Sequence, residues 1–193
     1  MNTRIAQGDV GVVFIGDSIT QGWEGDGQQA WQKHFADLKA VNLGIGGDQT
    51  QHVLWRMRNG NLKGIQPKVA VLMIGTNNTG TGVKPAETAA GIRAILDELR
   101  TQCPSMKILL LAIFPRGETA DDSLRLANDQ VNSTISKFAD GTNIVWLDLG
   151  PKFIGADGKL DRAVMPDLLH LSPAAYETWA VEVEPKIRAL MAQ

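Results

Sequence analysis

Four short segments of the sequence hold the residue types that acyl-transfer chemistry needs. Each lies beside a change from an apolar run to a polar turn. In Gly16-Asp17-Ser18-Ile19-Thr20, Gly16 permits a tight turn out of the preceding run, and Ser18 then presents its hydroxyl where a base can reach it. In Asn42-Leu43-Gly44-Ile45-Gly46-Gly47-Asp48, a bare backbone N–H at Gly47 could serve an oxyanion. In Gly75-Thr76-Asn77-Asn78, the Asn77 amide offers a second donor of the same kind. In Asp167-Leu168-Leu169-His170, a carboxylate three residues before an imidazole can hold Nδ1 and leave Nε2 free as a base. Each segment also has a bland explanation: a helix cap, a Gly-rich turn, an Asn turn, a solvated histidine. What singles them out is that all four occur together as nucleophile, oxyanion donors, base and orienting acid.

The elements that would have to position these groups can be read from hydropathy. Apolar runs of four to six residues at 10–15, 40–43, 69–74, 108–113 and 144–147 have the near-continuous character of strands buried on both faces. Between them lie helical spacings: Trp31, Phe35, Leu38; Val53, Met57; Ala89, Ile92, Leu96, Leu99; and Leu124, Val131, Ile135, Phe138. Ser172 as N-cap and Pro173 at the first helical position predict a last helix through Trp179, Val183, Ile187 and Leu190. Alternating strands and helices predict an α/β fold: a three-layer α/β/α, doubly wound domain on a five-stranded parallel sheet. Such sheets gather function beyond the carboxyl ends of their strands. Ser18, Gly47 and Asn77 follow strands one, two and three, and Asp167 and His170 precede the last helix, so all five converge on one rim.

Composition narrows the remaining classes. The 193 residues, with no linker or repeat, predict a single domain over 1–193. A hydrophobic fraction of 44% and a charged fraction of 21% are ordinary globular usage, and a formal charge of -2 gives no general attraction to nucleic acid. No apolar stretch is long enough to span a membrane. The single Cys103 allows neither an internal disulfide nor a multi-cysteine zinc site, and three scattered histidines argue against a metal. His34 and His52 fall inside helical segments and read as surface or partly buried helix residues, while Trp23 lies close enough to Ser18 to line a pocket. Gly44 and Gly46 mimic the start of a dinucleotide fingerprint. The third glycine is replaced by Gln49, and the run follows the second strand, so no nucleotide cofactor is expected. The start lacks a secretory pattern, which predicts a cytoplasmic protein if the chain is complete and a secreted or periplasmic one if a leader has been removed.

Gly16-Asp17-Ser18, Gly47, Gly75-x-Asn77 and Asp167-x-x-His170, in that order, resemble the SGNH, or GDSL-type, hydrolase superfamily. Within it, NLGIGGDQTQHVLWRMRNG, IQPKVAVLMIGTNN and IFPRGE are similar to the catalytic alpha subunits of intracellular platelet-activating-factor acetylhydrolases and their bacterial relatives. The resemblance implies the SGNH hydrolase fold, with Ser18 as nucleophile, His170 as general base and acid, and Asp167 as its partner. It also implies an oxyanion hole formed by the N–H groups of Ser18 and Gly47 and the Asn77 amide. Ile19 stands where the superfamily's first block often has Leu. The expected activity is a serine esterase acting on short acyl esters, acetyl above all, with no cofactor. Carbohydrate O-acetylesterase, lysophospholipase and thioesterase are the alternatives within the superfamily, and a non-catalytic binding domain is the remote one. The partner expected is a small-molecule ester, and a homodimer stays open. The loops after the first three strands are too short for a lid, so the acyl group is expected among Ile19, Thr76 and Leu169.

Overall fold

The computed structural model describes residues 8–193. Five parallel strands form one sheet in the order β2-β1-β3-β4-β5. They are β1 Val12–Gly16, β2 Ala40–Gly44, β3 Val69–Met73, β4 Lys107–Leu111 and β5 Ile144–Leu147. Every strand begins or ends within two residues of its expected run. Val10 and Gly11 lead into β1 rather than belonging to it. The fourth strand stops at Leu111, two residues short of its apolar run. The Asn132 side chain takes both backbone groups of Ile113, accepting from its N–H at 2.8 Å and donating to its carbonyl at 2.9 Å. Those groups are then lost to the ladder.

Period-two alternation divides each buried strand between two cores. Val13, Ile15, Ala70, Leu72, Ile108 and Leu110 face one side, and Val12, Phe14, Val69, Val71, Leu109 and Leu111 the other. The first side is covered by three helices, in chain order α3 (Thr50–Arg58), α5 (Pro85–Gln102) and α6 (Ser123–Ile135). The second is covered by α2 (Gln28–Phe35) and α8 (Pro173–Met191). Short helices α1 (Ser18–Gln21), α4 (Thr76–Gly80) and α7 (Gly150–Phe153) begin at or just beyond the ends of β1, β3 and β5. Each large side chain so buried contributes about 1.5–3 kcal/mol. No described helix is long and apolar enough to cross a membrane.

Two interactions lock α8 to the first part of the chain. The Tyr176 hydroxyl donates to the Ile19 carbonyl at 2.6 Å, tying the last helix to the turn that carries Ser18. A Cβ at Gly22 or Gly27 would fall within 3.0 Å of the Tyr176 ring or hydroxyl, so glycine at these two positions is a packing requirement. Trp23 is buried in this cluster, with its ring 4.7 Å from those of Tyr176 and Trp179. It is therefore a core residue, one of the two places, core or rim, that the sequence suggests for the tryptophans.

His34 is the second lock. Its Nδ1 lies 2.6 Å from Glu184 and its Nε2 3.1 Å from Glu177, which joins α2 to α8. Burial alone would lower the imidazole pKa. The hydrogen bonds to Glu184 and Glu177 outweigh burial and raise it above the ordinary 6.5. A raised native pKa stabilises the fold fully below the unfolded value, and that stabilisation is lost as pH rises through the native one. The urea midpoint of the protein is therefore expected to fall as pH rises from about 6 to about 9. His34→Gln should flatten this dependence, and an unchanged slope in the variant would assign it elsewhere.

Candidate active site

β1 ends in Gly16, and the chain turns at once into α1. A Cβ on Gly16 would meet Thr20 Oγ1 at 2.1 Å and the Met73 carbonyl at 2.5 Å, so only glycine fits this corner. Asp17 is the N-cap of α1, its Oδ1 accepting from the Ile19 N–H at 3.0 Å. The helix-cap explanation and the functional one thus apply to adjacent residues. Burial pushes the Asp17 carboxyl up to about 7, against the lowering effects of the Ile19 N–H and nearby His170. Ser18 follows, half-buried, with its hydroxyl facing across the rim.

Facing it is the turn before α8. Ser18 Oγ lies 2.8 Å from His170 Nε2, and His170 Nδ1 lies 2.6 Å from Asp167 Oδ2. Asp167 Oδ1 also accepts from the backbone N–H groups of His170 at 2.7 Å and Leu169 at 3.1 Å. Burial would raise the Asp167 carboxyl, but these hydrogen bonds, the His170 ring first, hold it below the usual range. An ionised Asp167 fixes the Nδ1–H tautomer and leaves the Nε2 lone pair directed at Ser18. Leu168, between them, has φ +62, a left-handed conformation rare for a bulky residue. Its carbonyl accepts from the Gly117 N–H at 3.0 Å. The side chain of Ser172, the N-cap two residues after His170, accepts from the Ala175 N–H and so fixes the start of α8.

Donors converge from the other two loops. A turn closed by Asp48 N–H to the Ile45 carbonyl at 3.1 Å holds Gly47 at φ +79, an angle that favours glycine. Among the described residues the Gly47 N–H has no protein acceptor, and Ser18, first in its helix, has no intrahelical one. Asn77 Nδ2 spends one hydrogen on the Asp48 carbonyl at 2.9 Å and keeps the other. The two loops are stitched together further. Asn78 Oδ1 accepts from the Thr50 N–H at 2.9 Å, and Gln49 Nε2 donates to Thr81 Oγ1 at 2.9 Å. Asp48 itself is held by Arg56, whose Nε and Nη2 lie 2.9 and 2.7 Å from Oδ2.

Ser18, Gly47, Asn77, Asp167 and His170 therefore share the carboxyl rim, as their strand-end positions imply. Ile19 and Thr76 do not wall an open pocket. They are 1% and 2% exposed, Ile19 packed in the core beside Trp23 and Thr76 bonded to Arg116 and Asn128. Of the three expected acyl contacts, only Leu169 is half-buried. His34 is buried more deeply than the surface or partly buried position expected, and His52 is exposed on α3, its Nδ1 accepting from the Gln49 N–H. No described group of three or more His, Cys, Asp or Glu side chains could hold a metal ion. Sequence reasoning missed Asp48, Arg56, Arg116 and Arg125. Asp48, Arg56 and Arg116 lie inside the segments already singled out, but Arg116's partner Thr76 is 40 positions away, and spacing alone does not show that Arg56 turns back onto Asp48.

The Asp48–Arg56 pair is nearly buried, with side chains 11% and 12% exposed. Arg56→Met leaves Asp48 without its counter-ion and should destabilise the protein by about 3 kcal/mol, the lower end for breaking a buried pair. Denaturant unfolding would measure it, and a loss near zero would show that the pair is screened.

Comparisons with known proteins bear on the family and the fold. A profile of the GDSL-like Lipase/Acylhydrolase family matches residues 14–178. Platelet-activating factor acetylhydrolase IB subunit alpha2 of Gallus gallus is 40% identical over 166 residues, covering 86% of this chain and 70% of that protein. Subunit alpha1 of Homo sapiens is 38% identical over 183 residues, covering 94% and 77%. Among solved structures, an acetyl xylan esterase superposes with a TM-score of 0.78 at 24% identity, covering 92% of this chain and 99% of its own, a likeness of fold. By its sheet, its ordered motifs and its relatives, the chain belongs to the GDSL-like lipase/acylhydrolase family, whose members are carboxylic ester hydrolases.

Proposed function

We propose that this chain, as a single hydrolase domain, cleaves short-chain esters, acetyl esters first, through an acyl-enzyme on Ser18. The observation that carries this reading is the unbroken hydrogen-bonded line from Ser18 Oγ through His170 to Asp167, at 2.8 and 2.6 Å. His170 Nε2 takes the hydroxyl proton as Oγ bonds to the ester carbonyl carbon. The carbonyl oxygen becomes an oxyanion facing the Ser18 and Gly47 N–H groups and the spare hydrogen of Asn77 Nδ2. Collapse of this intermediate breaks the bond to the alcohol, which leaves with the proton from His170 Nε2. Water then gives a proton to the same nitrogen and attacks the acyl carbon, and the second collapse returns the proton to Ser18 Oγ and releases the acid.

The preference for a small acyl group rests on what surrounds Ser18. Ile19 and Thr76 are packed into the interior, so neither lines an open channel for a long acyl chain. The longest stretch on this rim without regular helix or strand, residues 154–172, is pinned by buried Leu160, Met165 and Leu171 and does not form a free lid. The acetyl xylan esterase fold and the acetylhydrolase relatives are compatible with this size class.

The test is kcat/KM on acetyl, butyryl and octanoyl esters of one alcohol, with Ser18→Ala as the control. The series should fall from acetyl to octanoyl, and the alanine variant should fold yet turn over none of them. In an open apolar groove each added methylene would instead gain about 0.8 kcal/mol. A rising series would therefore replace this reading with a lipase-like one.

A further inference from the structure

We propose that Gln21 is a positioning residue for the oxyanion donor: its side chain selects, among the conformations open to the Gly46–Gly47 turn, the one that presents the Gly47 N–H to the reacting carbonyl. This rests on the Ser18 acyl-enzyme reading above. Gln21 closes α1, three residues after Ser18, and positions three apart on a helix share a face. Ile19 and Thr20, between them, are buried, so α1 turns Ser18 and Gln21 toward the rim. From there Gln21 Oε1 accepts from the Gly46 N–H at 2.8 Å. Its backbone is held in place. The Gln21 N–H donates to the Asp17 carbonyl at 2.8 Å, and the Gln21 carbonyl accepts from Asn42 Nδ2 at 3.3 Å. A Cβ on Gly44 would fall 2.3 Å from the Gln21 nitrogen, so the end of β2 and the end of α1 meet backbone to backbone.

The turn itself supplies little direction. It runs from Ile45 to Asp48 with glycine at both central positions, Gly47 at φ +79. Two glycines tolerate either sign of φ, so the ordinary and the mirror-image turns are open to the same closing hydrogen bond. The Gly47 N–H belongs to the central peptide, which points differently in each. The peptide unit before it is bonded at both ends. Its carbonyl, from Ile45, accepts from the Asp48 N–H at 3.1 Å, and its N–H, from Gly46, goes to Gln21. The Ile45 N–H donates to the Gly16 carbonyl at 3.2 Å. Of three successive N–H groups, two are thus held by the segment that carries Ser18, and the third, on Gly47, is left for the oxyanion.

Among the described residues, Gln21 supplies the one side-chain hydrogen bond to either glycine. It is also exposed, and exposed side chains contribute little to folding, so an effect on activity separates from one on stability.

Gln21→Met keeps the length of the side chain and removes the acceptor. On an acetyl ester its kcat should fall about 10- to 100-fold, the order expected when an oxyanion donor is misplaced, with KM and the urea midpoint unchanged. Inhibition by 1,1,1-trifluoroacetone gives a second readout. Ser18 Oγ adds to its carbonyl carbon, His170 Nε2 takes the hydroxyl proton, and the carbonyl oxygen becomes a bound oxyanion. Its Ki should rise in Gln21→Met by the factor by which kcat/KM falls. Gln21→Glu keeps the acceptor. At about 1 M salt, where the Debye length is about 3 Å and the added charge is screened, it should recover most of the loss. An unchanged kcat in Gln21→Met, a KM that rises alone, or a Gln21→Glu variant no better than Gln21→Met at that salt overturns the proposal. Should Gln21→Met fail to fold, Gln21→Ala makes the same comparison. Each of these readouts is a ratio of variant to wild type. Failure of the Ser18 reading shows elsewhere, as ester turnover that survives Ser18→Ala, so the two failures are distinguishable.

Discussion

The hydrogen bond between Ser18 Oγ and His170 Nε2 joins groups 152 residues apart, and most of the molecule works to keep it at 2.8 Å. One end is fixed by the sheet. β1 is central, paired on both sides, and the Gly16 corner delivers Ser18 to the rim with no choice of direction. The other end is fixed by α8, whose buried face packs against the sheet through Trp179, Val183 and Ile187. Tyr176 closes the gap directly, with its hydroxyl on the Ile19 carbonyl one residue from the serine. Displacing α8 by an ångström would move imidazole from hydroxyl, so the aromatic packing around Trp23, Tyr176 and Trp179 serves geometry as well as stability.

The side proposed to hold the oxyanion is fixed by a different device. Gly47 sits in the turn after β2 and Asn77 in the five-residue helix α4 after β3, the two neighbours of β1, and no long helix braces either position. Hydrogen bonds between the loops replace that bracing: Asn77 to the Asp48 carbonyl, Thr50 to Asn78, Gln49 to Thr81. Arg56 anchors the arrangement through Asp48. Preorganised donors are effective because they do not reorient as charge develops. Here that preorganisation comes from polar side chains bonding across the crevice.

The sequence carried the strands, the rim and the five groups on it, because continuous apolar runs and strand-end turns are local signals. The strand order is not local: nothing in the composition of β2 or β4 says that β1 and β3 lie between them. His34 illustrates the limit for single residues. Its helix was legible, but Glu177 and Glu184, which make it a buried bridge, come 143 and 150 positions later. Ile19 and Thr76 were identified as neighbours of the reacting carbon, and adjacency in sequence does not tell which way a side chain turns. Arg116 and Arg125 lie nine residues apart and read alike as loop and helix cations. Only their acceptors separate them.

The central claim is that Ser18 Oγ is the atom that carries the acyl group. A fluorophosphonate reports on it directly, since it reacts only with a serine activated as a nucleophile. Peptide mapping by mass spectrometry after partial inactivation should find one adduct, on the peptide containing Ser18, in proportion to the activity lost. Complete modification of Ser18 with ester turnover intact, or inactivation with the adduct on another residue, would contradict the account.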